Sequence, residues 1–214
     1  MVHTIIGLCG LAGCGKDTAA DHIARHFRKH HEKLVRVISL GDILKEITHD
    51  TCRLLRPEAE LDRSILWGGT HIKNTHKIRD GVTVRKVLQY FGTDILRKHL
   101  GDDVFVNALC ERISKIGSQY DVIVVPDIRF VNEIRGLVKY TKEHKHQMWM
   151  MHVIRDGIEQ MKHSSEGNAQ IIMDIFEDTN PYGPYRMETL WNDGTKAQFY
   201  ERVEEFTDRI ASLS

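Results

Sequence analysis

The chain has 214 residues, of which 41% are hydrophobic, and its 30 Lys and Arg residues balance its 30 Asp and Glu residues. A chain of this length can bury an apolar core as one domain, and its zero net charge gives no support for binding to nucleic acid or to an acidic membrane. The four cysteines form no C-x-x-C pair. We therefore expect reduced thiols and a cytoplasmic protein, with no leader peptide and no membrane span.

The first predicted elements are a strand and a helix joined by a glycine-rich loop. The run 4–9 is short and apolar, as in a buried parallel strand, and residues 18–27 are typical of a helix. Between them the spacing G-x-x-x-x-G-K of a phosphate-binding P-loop is met. An aspartate stands at the usual hydroxyl position and a threonine follows one place later. The predicted nucleotide-binding residues are Gly10, Gly13, Gly15, Lys16, Asp17 and Thr18.

The composition of this loop suits a nucleotide phosphate. Glycines allow the backbone to turn its N–H groups inward, and the N-terminus of the following helix adds a partial positive charge. Lys16 would place a cation on the β- and γ-phosphates, and Asp17 or Thr18 would contact Mg²⁺. The alternative is a strand-to-helix turn that binds nothing, but the flanking strand and helix favour the P-loop interpretation.

The rest of the chain alternates between predicted strands and helices. We predict strands at 34–40, 120–125, 148–154 and 188–191, and helices at 43–55, 84–100, 104–116, 131–143 and 195–212. Residues 56–83 are predicted as a polar excursion outside the core, and residues 155–186 as a loop-rich region that closes as a lid. The alternation predicts an α/β fold in one domain, 1–214, with a doubly wound, mainly parallel sheet and flanking helices.

Ligands of such sheets bind beyond the carboxyl ends of the strands, which directs attention to the residues there. Asp127 follows an apolar strand as a Walker-B carboxylate does, and we predict that it helps hold Mg²⁺; alone, it is equally well explained as a helix N-cap. Arg129 comes two residues later, so an extended backbone would direct both side chains to one side of the crevice. Arg155 begins the predicted lid. Asp127, Arg129 and Arg155 are therefore predicted, with Lys16, as catalytic residues.

At this point the sequence resembles a known family. The blocks Gly15-Lys16-Asp17-Thr18, Leu40 to Lys45, Thr83 to Gln89 with Gly92-Thr93-Asp94, Val124 to Arg129 with Glu133, and Asn192 to Thr195 are similar to the signature blocks of the deoxynucleoside monophosphate kinases of bacteriophages. They occur in the family's order and span nearly the whole chain. An aspartate after the P-loop lysine is unusual among P-loop proteins, and it makes the resemblance specific.

The resemblance implies phosphoryl transfer from ATP to a deoxynucleoside 5′-monophosphate, with Mg²⁺, by a homodimer in the cytoplasm, or in the host cytoplasm if the chain is viral. Residues 42–103 are then expected to form an acceptor-binding lobe. Arginine suits a phosphate, glutamine suits a base edge and an aromatic ring suits base stacking. The predicted acceptor-binding residues are Asp42, Lys45, Arg85, Gln89, Gly92, Thr93, Phe105, Asp127 and Arg129. Phe105 stands where the family leads us to expect a tryptophan, and both it and Gln89 have an ordinary core or surface role as the alternative. Asn192 and Gly194 belong to the turn predicted beneath the adenine of ATP.

Two other functions remain compatible with the motifs. A different small-molecule kinase of this fold, such as a dephospho-coenzyme A or phosphomevalonate kinase, would share Lys16 and Asp127 but use another acceptor lobe. The second alternative is a nucleotide-binding regulator without transferase activity, and the absence of an N-K-x-D segment disfavours it.

His22, His26 and His30 share one predicted helix face. We interpret that face as solvated rather than as a metal site, because no carboxylate or cysteine at a known ligand spacing accompanies it.

Overall fold

The computed structural model describes residues 3–55, 61–157, 169–179 and 186–213. They form two compact units: the residues up to 39 together with those from 109 onward are unit 1, and residues 40–108 are unit 2. Among the helices of the described residues, none has both the length and the apolar composition that a bilayer crossing requires.

Unit 1 is built on a five-stranded parallel sheet. Its strands are β1 (Thr4–Cys9), β2 (Val35–Val37), β5 (Val122–Val125), β6 (Gln147–Ile154) and β7 (Met187–Trp191). Their order across the sheet is β2-β5-β1-β6-β7, and each neighbouring pair is parallel. The chain thus extends the sheet on both sides of β1, as a doubly wound sheet does. The predicted fold class is confirmed.

The helices of unit 1 flank this sheet. They are α1 (Lys16–His30), α8 (Val131–His144), α9 (Ala169–Thr179) and α10 (Lys196–Ser212), and the sheet residues on one face of β1 and β6 form a buried cluster with α1 and α10. Ile6 and Leu8 of β1 belong to this cluster with Trp149 and Met151 of β6, the alternation expected of strands whose two faces are both covered. Helix α7 (Val104–Ile116) and a 3₁₀ turn (Gly117–Gln119) lead into β5.

Unit 2 is formed by short elements around a small core. They are α2 (Leu40–Leu55), α3 (Arg63–Leu66), α4 (Thr70–Thr75), a hairpin of β3 (Lys77–Arg79) and β4 (Val82–Thr83), α5 (Val84–Gln89), a π-helical segment (Tyr90–Arg97) and α6 (Lys98–Leu100). Leu61, Leu66 and Val84 are its buried centre. The prediction that residues 56–83 lie outside the core is therefore wrong for 61–83, while 56–60 lie outside the described residues.

Two further sequence predictions are wrong, and a third is confirmed with a change of helix type. The second strand covers only Val35–Val37, and α2 begins at Leu40, so Asp42 lies in the first turn of a helix and not at the end of a strand. Residues 155–186 include helix α9, whose Ile172, Met173 and Phe176 form the apolar face of a buried helix. The predicted helix 84–100 is helical throughout but widens into a π-helix over Tyr90–Arg97. The remainder of the predicted lid, 158–168 and 180–185, lies outside the described residues.

Candidate nucleotide-binding site

The loop between β1 and α1 can be built only with glycine at three positions. Gly10, Gly13 and Gly15 have φ angles of 140°, 81° and 111°, a region that residues with a Cβ rarely adopt. A Cβ on Gly10 would also lie 2.3 Å from the carbonyl oxygen of Val153 on the neighbouring strand β6. The loop therefore passes close to the end of β6 while its backbone reverses toward α1.

Lys16 is the first residue of α1, and its side chain folds back into the loop. Its Nζ donates hydrogen bonds to the carbonyl oxygens of Gly10 at 2.8 Å and of Leu11 at 2.6 Å, and only 7% of the residue is exposed. Lys16 is therefore a buried residue and not an exposed loop lysine. The buried position brings a full positive charge to the N-terminus of a 15-residue helix, which itself favours an anion.

Three ionisable side chains in the described part of the chain interact with Lys16 without compensating its charge. Burial raises the pKa of Cys9 to about 12, and burial also raises the pKa of Cys14 although the Lys16 charge opposes this. The pKa of His152 is lowered, first by burial and then by the charge of Lys16. All three groups are neutral near pH 7. A dense anion such as a phosphate is the natural counter-charge for this position.

Asp17 and Thr18 occupy the first turn of α1. Asp17 is exposed and Thr18 is half-buried. Within the described part of the chain, neither side chain has a hydrogen-bond partner, so both offer oxygen atoms to a ligand.

Asp127 lies at the carboxyl end of β5, in a turn with Pro126. Its Oδ2 accepts a 2.6 Å hydrogen bond from Ser39 Oγ, a partner two residues past β2 that we did not predict from the sequence. The turn at Pro126–Asp127 replaces the extended backbone that we assumed, so strand alternation does not govern the relative directions of Asp127 and Arg129. That argument for their common direction was wrong.

Arg129 is exposed, and the backbone beside it is fixed by a buried carboxylate. Glu133 is 2% exposed, and its Oε2 accepts hydrogen bonds from the N–H groups of Arg129 at 2.8 Å and Phe130 at 3.1 Å, which caps α8. Glu133 thus holds the segment that presents Arg129. Arg155 is exposed directly after β6, at the same carboxyl edge of the sheet as the P-loop.

Asn192 supports the P-loop from the end of β7. Its Nδ2 donates to the carbonyl oxygen of Cys14 at 2.8 Å, and its backbone N–H donates to Ile154 at 2.7 Å. A Cβ on Gly15 would lie 2.6 Å from the same Nδ2, so the close approach requires the glycine. Gly194 is exposed two residues later. Our sequence prediction placed these residues beneath an adenine; the contact with the loop was not foreseen, and the adenine role stays a prediction.

The predicted acceptor residues of unit 2 are spread over α2, α5 and the π-helical segment. Asp42 Oδ1 pairs with Lys45 Nζ at 2.8 Å within α2, and the Lys45 ammonium also lies 5.6 Å from the ring centre of Trp67. Arg85 and Gln89 are half-buried on α5. These positions stay predicted binding residues.

The predicted acceptor residues on the π-helical segment and on α7 differ in their burial. Gly92 is buried, and a Cβ there would lie 2.9 Å from Leu44 Cδ2. Thr93, the next residue, is exposed. Phe105 is 4% exposed, and the Arg97 guanidinium lies 5.0 Å from its ring centre. Phe105 is a core residue, so the core alternative is favoured over base stacking.

The sheet order, the glycine-rich loop and the buried lysine at the start of α1 define the class of the fold, a parallel α/β fold with a P-loop. A solved structure titled "putative kinase" from Chloroflexus aurantiacus has the same fold, with a TM-score of 0.50 at 11% sequence identity, over 100% of this chain and 98% of that one.

Comparison with known protein families shows which of them this chain resembles. Residues 67–171 match the family model described as deoxynucleotide monophosphate kinase. A protein of Acanthamoeba polyphaga mimivirus, named "Putative deoxynucleotide monophosphate kinase", is 30% identical over 139 residues, which are 60% of this chain and 65% of the relative. The match thus spans less than two thirds of the relative's length. The resemblance to the deoxynucleoside monophosphate kinases is confirmed.

Proposed function

We propose that this protein transfers the terminal phosphoryl group of ATP to a deoxynucleoside 5′-monophosphate and thereby supplies DNA precursors. The observation that carries the proposal is the Lys16 ammonium, buried at the N-terminus of α1 beside three side chains, Cys9, Cys14 and His152, that are neutral near pH 7. The family match over residues 67–171 supports the choice of acceptor class.

The residues of the P-loop and of the adjoining turn fit a nucleoside triphosphate with its metal ion. Three glycines with positive φ leave the loop without side chains where phosphate oxygens would approach, and Lys16 can exchange its carbonyl partners for those oxygens. Asp17, Thr18 and Asp127 would supply the hard oxygen ligands that Mg²⁺ prefers. When bound, Mg²⁺ neutralises charge on the β- and γ-phosphates.

The roles of the protein side chains follow from the charge that develops during transfer. Charge spreads over the oxygens of the transferred group, so cations fixed around it stabilise the transition state without covalent chemistry. Lys16 holds this group from the loop, and Arg129 and Arg155 add guanidinium donors that match its oxygens in a bidentate manner. Asn192 and Glu133 act as positioning residues, because each fixes backbone beside one of these cations.

Unit 2 supplies the acceptor site in this proposal. Arg85 binds the acceptor phosphate, Asp42, Lys45 and Gln89 provide polar contacts, and Gly92 and Thr93 line the segment beside them. Since Phe105 is buried, the half-buried ring of Trp67 is the better candidate for stacking on the base. The Arg63 guanidinium lies 4.6 Å from its ring centre and adds positive charge near that ring.

The direct test is a coupled ATP-consumption assay across the deoxy- and ribonucleoside monophosphates, with coenzyme A precursors as control acceptors. We expect Mg²⁺-dependent turnover with at least one deoxynucleoside monophosphate and none with the controls. Turnover with the coenzyme A precursors alone would contradict the proposed substrate class. ATP binding without turnover on any acceptor would instead favour a nucleotide-binding regulator.

Kinetics of arginine variants test the division of roles. Arg85→Ala should raise KM for the acceptor and leave KM for ATP unchanged, whereas Arg129→Ala should lower kcat, because its contact strengthens only as charge develops. Lysine at either position should rescue poorly, since a point charge cannot reproduce a bidentate contact. An effect of Arg85→Ala on ATP rather than on the acceptor would contradict the assignment of unit 2.

The two candidate metal ligands are separated by the Mg²⁺ requirement. If Asp17 contacts the ion, Asp17→Asn raises the Mg²⁺ concentration needed for half-maximal activity, while Thr18→Val does not. The opposite pair of results assigns the contact to Thr18 and leaves Asp17 to interact with the helix N-terminus.

We also propose a homodimer, which light scattering of the purified protein would detect as twice the chain mass of 24.7 kDa.

A further inference from the structure

A cluster of histidines and carboxylates joins the C-terminal end of α1 to α10. His26 of α1 and His31, directly after the helix, both direct Nε2 at the same oxygen, Asp208 Oδ1, and both distances are 2.7 Å. His31 is the C-cap of α1, and its backbone N–H still donates to the carbonyl oxygen of Phe27 at 3.1 Å, which keeps it beside the last turn of the helix. The three potential ligand atoms of His26, His31 and Asp208 all lie within 4.8 Å of one another.

A second carboxylate lies behind the first. Glu204, one helical turn before Asp208 on α10, accepts a 2.7 Å hydrogen bond from His22 Nε2, and its Oε1 is 3.9 Å from His26 Nδ1. His22 is held in turn by stacking on Tyr200, with ring centres 3.9 Å apart. His26 therefore has a carboxylate facing each of its two ring nitrogens. Metal-bound histidines usually have this arrangement, with the metal on one nitrogen and a carboxylate near the other.

We propose that this cluster is a site for a divalent transition-metal ion of the Zn²⁺ type, bound by His26 Nε2, His31 Nε2 and Asp208 Oδ1. Two imidazoles and one carboxylate form a ligand set typical of zinc. Bonds of about 2.0–2.1 Å in a tetrahedral site separate the ligand atoms by about 3.3 Å. Each 2.7 Å contact must therefore open by roughly half an ångström. The side chain of Asp208 is 56% exposed, so it can make this movement.

Partial exposure also leaves space for the fourth ligand. The side chain of His31 is 24% exposed and that of His26 is 8% exposed, so the site is open to water on the side of His31 and Asp208 and closed on the side of His26. A water molecule can complete the tetrahedron. The charges of Asp208 and Glu204 together balance a divalent ion, while the histidines bind in their neutral form.

The position of the site indicates a structural role. His26 is ten residues after Lys16 on the same helix, a rise of about 15 Å. An ion there would link α1 to α10, and it would leave the phosphate-binding loop at the other end of α1 unchanged. The inference is therefore independent of the proposed phosphoryl transfer.

The test uses the full-length protein after EDTA treatment and dialysis. Calorimetric titration with ZnCl₂ should show one saturable equivalent per chain, and bound Zn²⁺ should raise the midpoint of thermal unfolding. Titration with CoCl₂ should give the visible absorption bands of a four-coordinate ion. Absence of a saturable equivalent would overturn the proposal and leave the cluster as a hydrogen-bonded network between the two helices.

Variants identify the ligands. Asp208→Asn and His31→Gln, at exposed or partly exposed positions, should abolish the stoichiometric equivalent, and Glu204→Gln should weaken Zn²⁺ binding by about 10–100-fold. The matched control is His30→Gln. His30 is an exposed histidine of the same helix that stacks on His26 at 4.6 Å but does not belong to the three-ligand set. Circular dichroism of each metal-free variant checks its fold. Equal loss in His30→Gln, or wild-type affinity in Asp208→Asn, would overturn the ligand assignment.

Discussion

The two edges of the parallel sheet in unit 1 carry different kinds of chemistry. At the carboxyl edge, the P-loop presents the positive charge of Lys16 beside Cys9, Cys14 and His152, which are neutral near pH 7. At the amino edge, histidines satisfy one another and the backbone: the N–H of His3 donates to His146 Nδ1 at 3.3 Å, and His3 Nδ1 lies 2.7 Å from the carbonyl oxygen of Tyr120. Helix α1 runs from the first edge back toward the second.

The comparison teaches that a function can be assigned to one edge while the other supports the fold. Substitutions of charged side chains at the carboxyl edge should therefore change turnover more than stability, whereas substitutions of its loop glycines should change both. Substitutions at the amino edge, and at the end of α1, should change stability and leave turnover intact.

The largest effect is expected at Lys16. Lys16→Met keeps the aliphatic stem but removes the charge that stabilises the transferred group, so kcat should fall by at least about 100-fold. The matched control is Lys29→Met, an exposed lysine near the other end of α1, which should retain full activity. Turnover measured on both purified variants, with thermal unfolding as a fold check, tests the pair. Normal kcat in Lys16→Met would remove the basis of the proposed function.

The second prediction concerns the shape of the loop. Gly10→Ala introduces a Cβ 2.3 Å from a backbone oxygen at a φ of 140°, and we expect the free energy of unfolding to fall by about 2–3 kcal/mol, together with a loss of nucleotide binding. Gly69→Ala is the control, because its Cβ would meet nothing within 4 Å. Urea denaturation of the two variants measures the difference. Equal stabilities would show that the loop can relax around the added methyl group.

The third prediction concerns the amino edge and pH. Burial, helped by the neighbouring charge of His3, lowers the pKa of His146 to about 4 from an ordinary 6.5. The folded protein thus binds fewer protons than the unfolded chain between these values, so the contribution to stability is complete above pH 6.5 and is lost as the pH falls toward 4. We expect a loss of about 2 kcal/mol between pH 7.5 and pH 5.

His146→Asn isolates this contribution, since the asparagine oxygen can replace Nδ1 as acceptor and does not titrate. Urea denaturation at several pH values should show a flatter pH dependence in this variant than in the wild type. His99→Asn, at an exposed position on α6, provides the control. A pH dependence in His146→Asn as steep as in the wild type would assign the effect to other groups.

The smallest effect is expected at His22. His22→Gln in metal-free protein weakens the hydrogen bond to Glu204 and removes the stacking on Tyr200, so unfolding should become easier by about 1 kcal/mol. Its kcat should equal that of the wild type. A large loss of turnover would mean that the two ends of α1 are coupled and would contradict the division between the edges.

Local sequence determined the features that depend on neighbours along the chain. The apolar runs at β1 and β5 were predicted because strands covered on both faces are continuously hydrophobic. The P-loop was predicted from the spacing of its glycines and lysine, because its positive φ angles favour glycine at those positions. Helix α9 was missed, although Ile172, Met173 and Phe176 carry its apolar face.

Other features depended on residues distant in the sequence, and only the tertiary structure decided them. Ser39 meets Asp127 because parallel strands bring their carboxyl ends together. Asn192 reaches the P-loop from the far end of the chain for the same reason. The face of His22, His26 and His30 was predicted to be solvated. This is confirmed for His30, which is exposed, and wrong for His26, which is buried because α10 covers it with Glu204 and Asp208. The pattern along one helix fixes which residues share a face, but the partner of that face is fixed only when distant helices pack together.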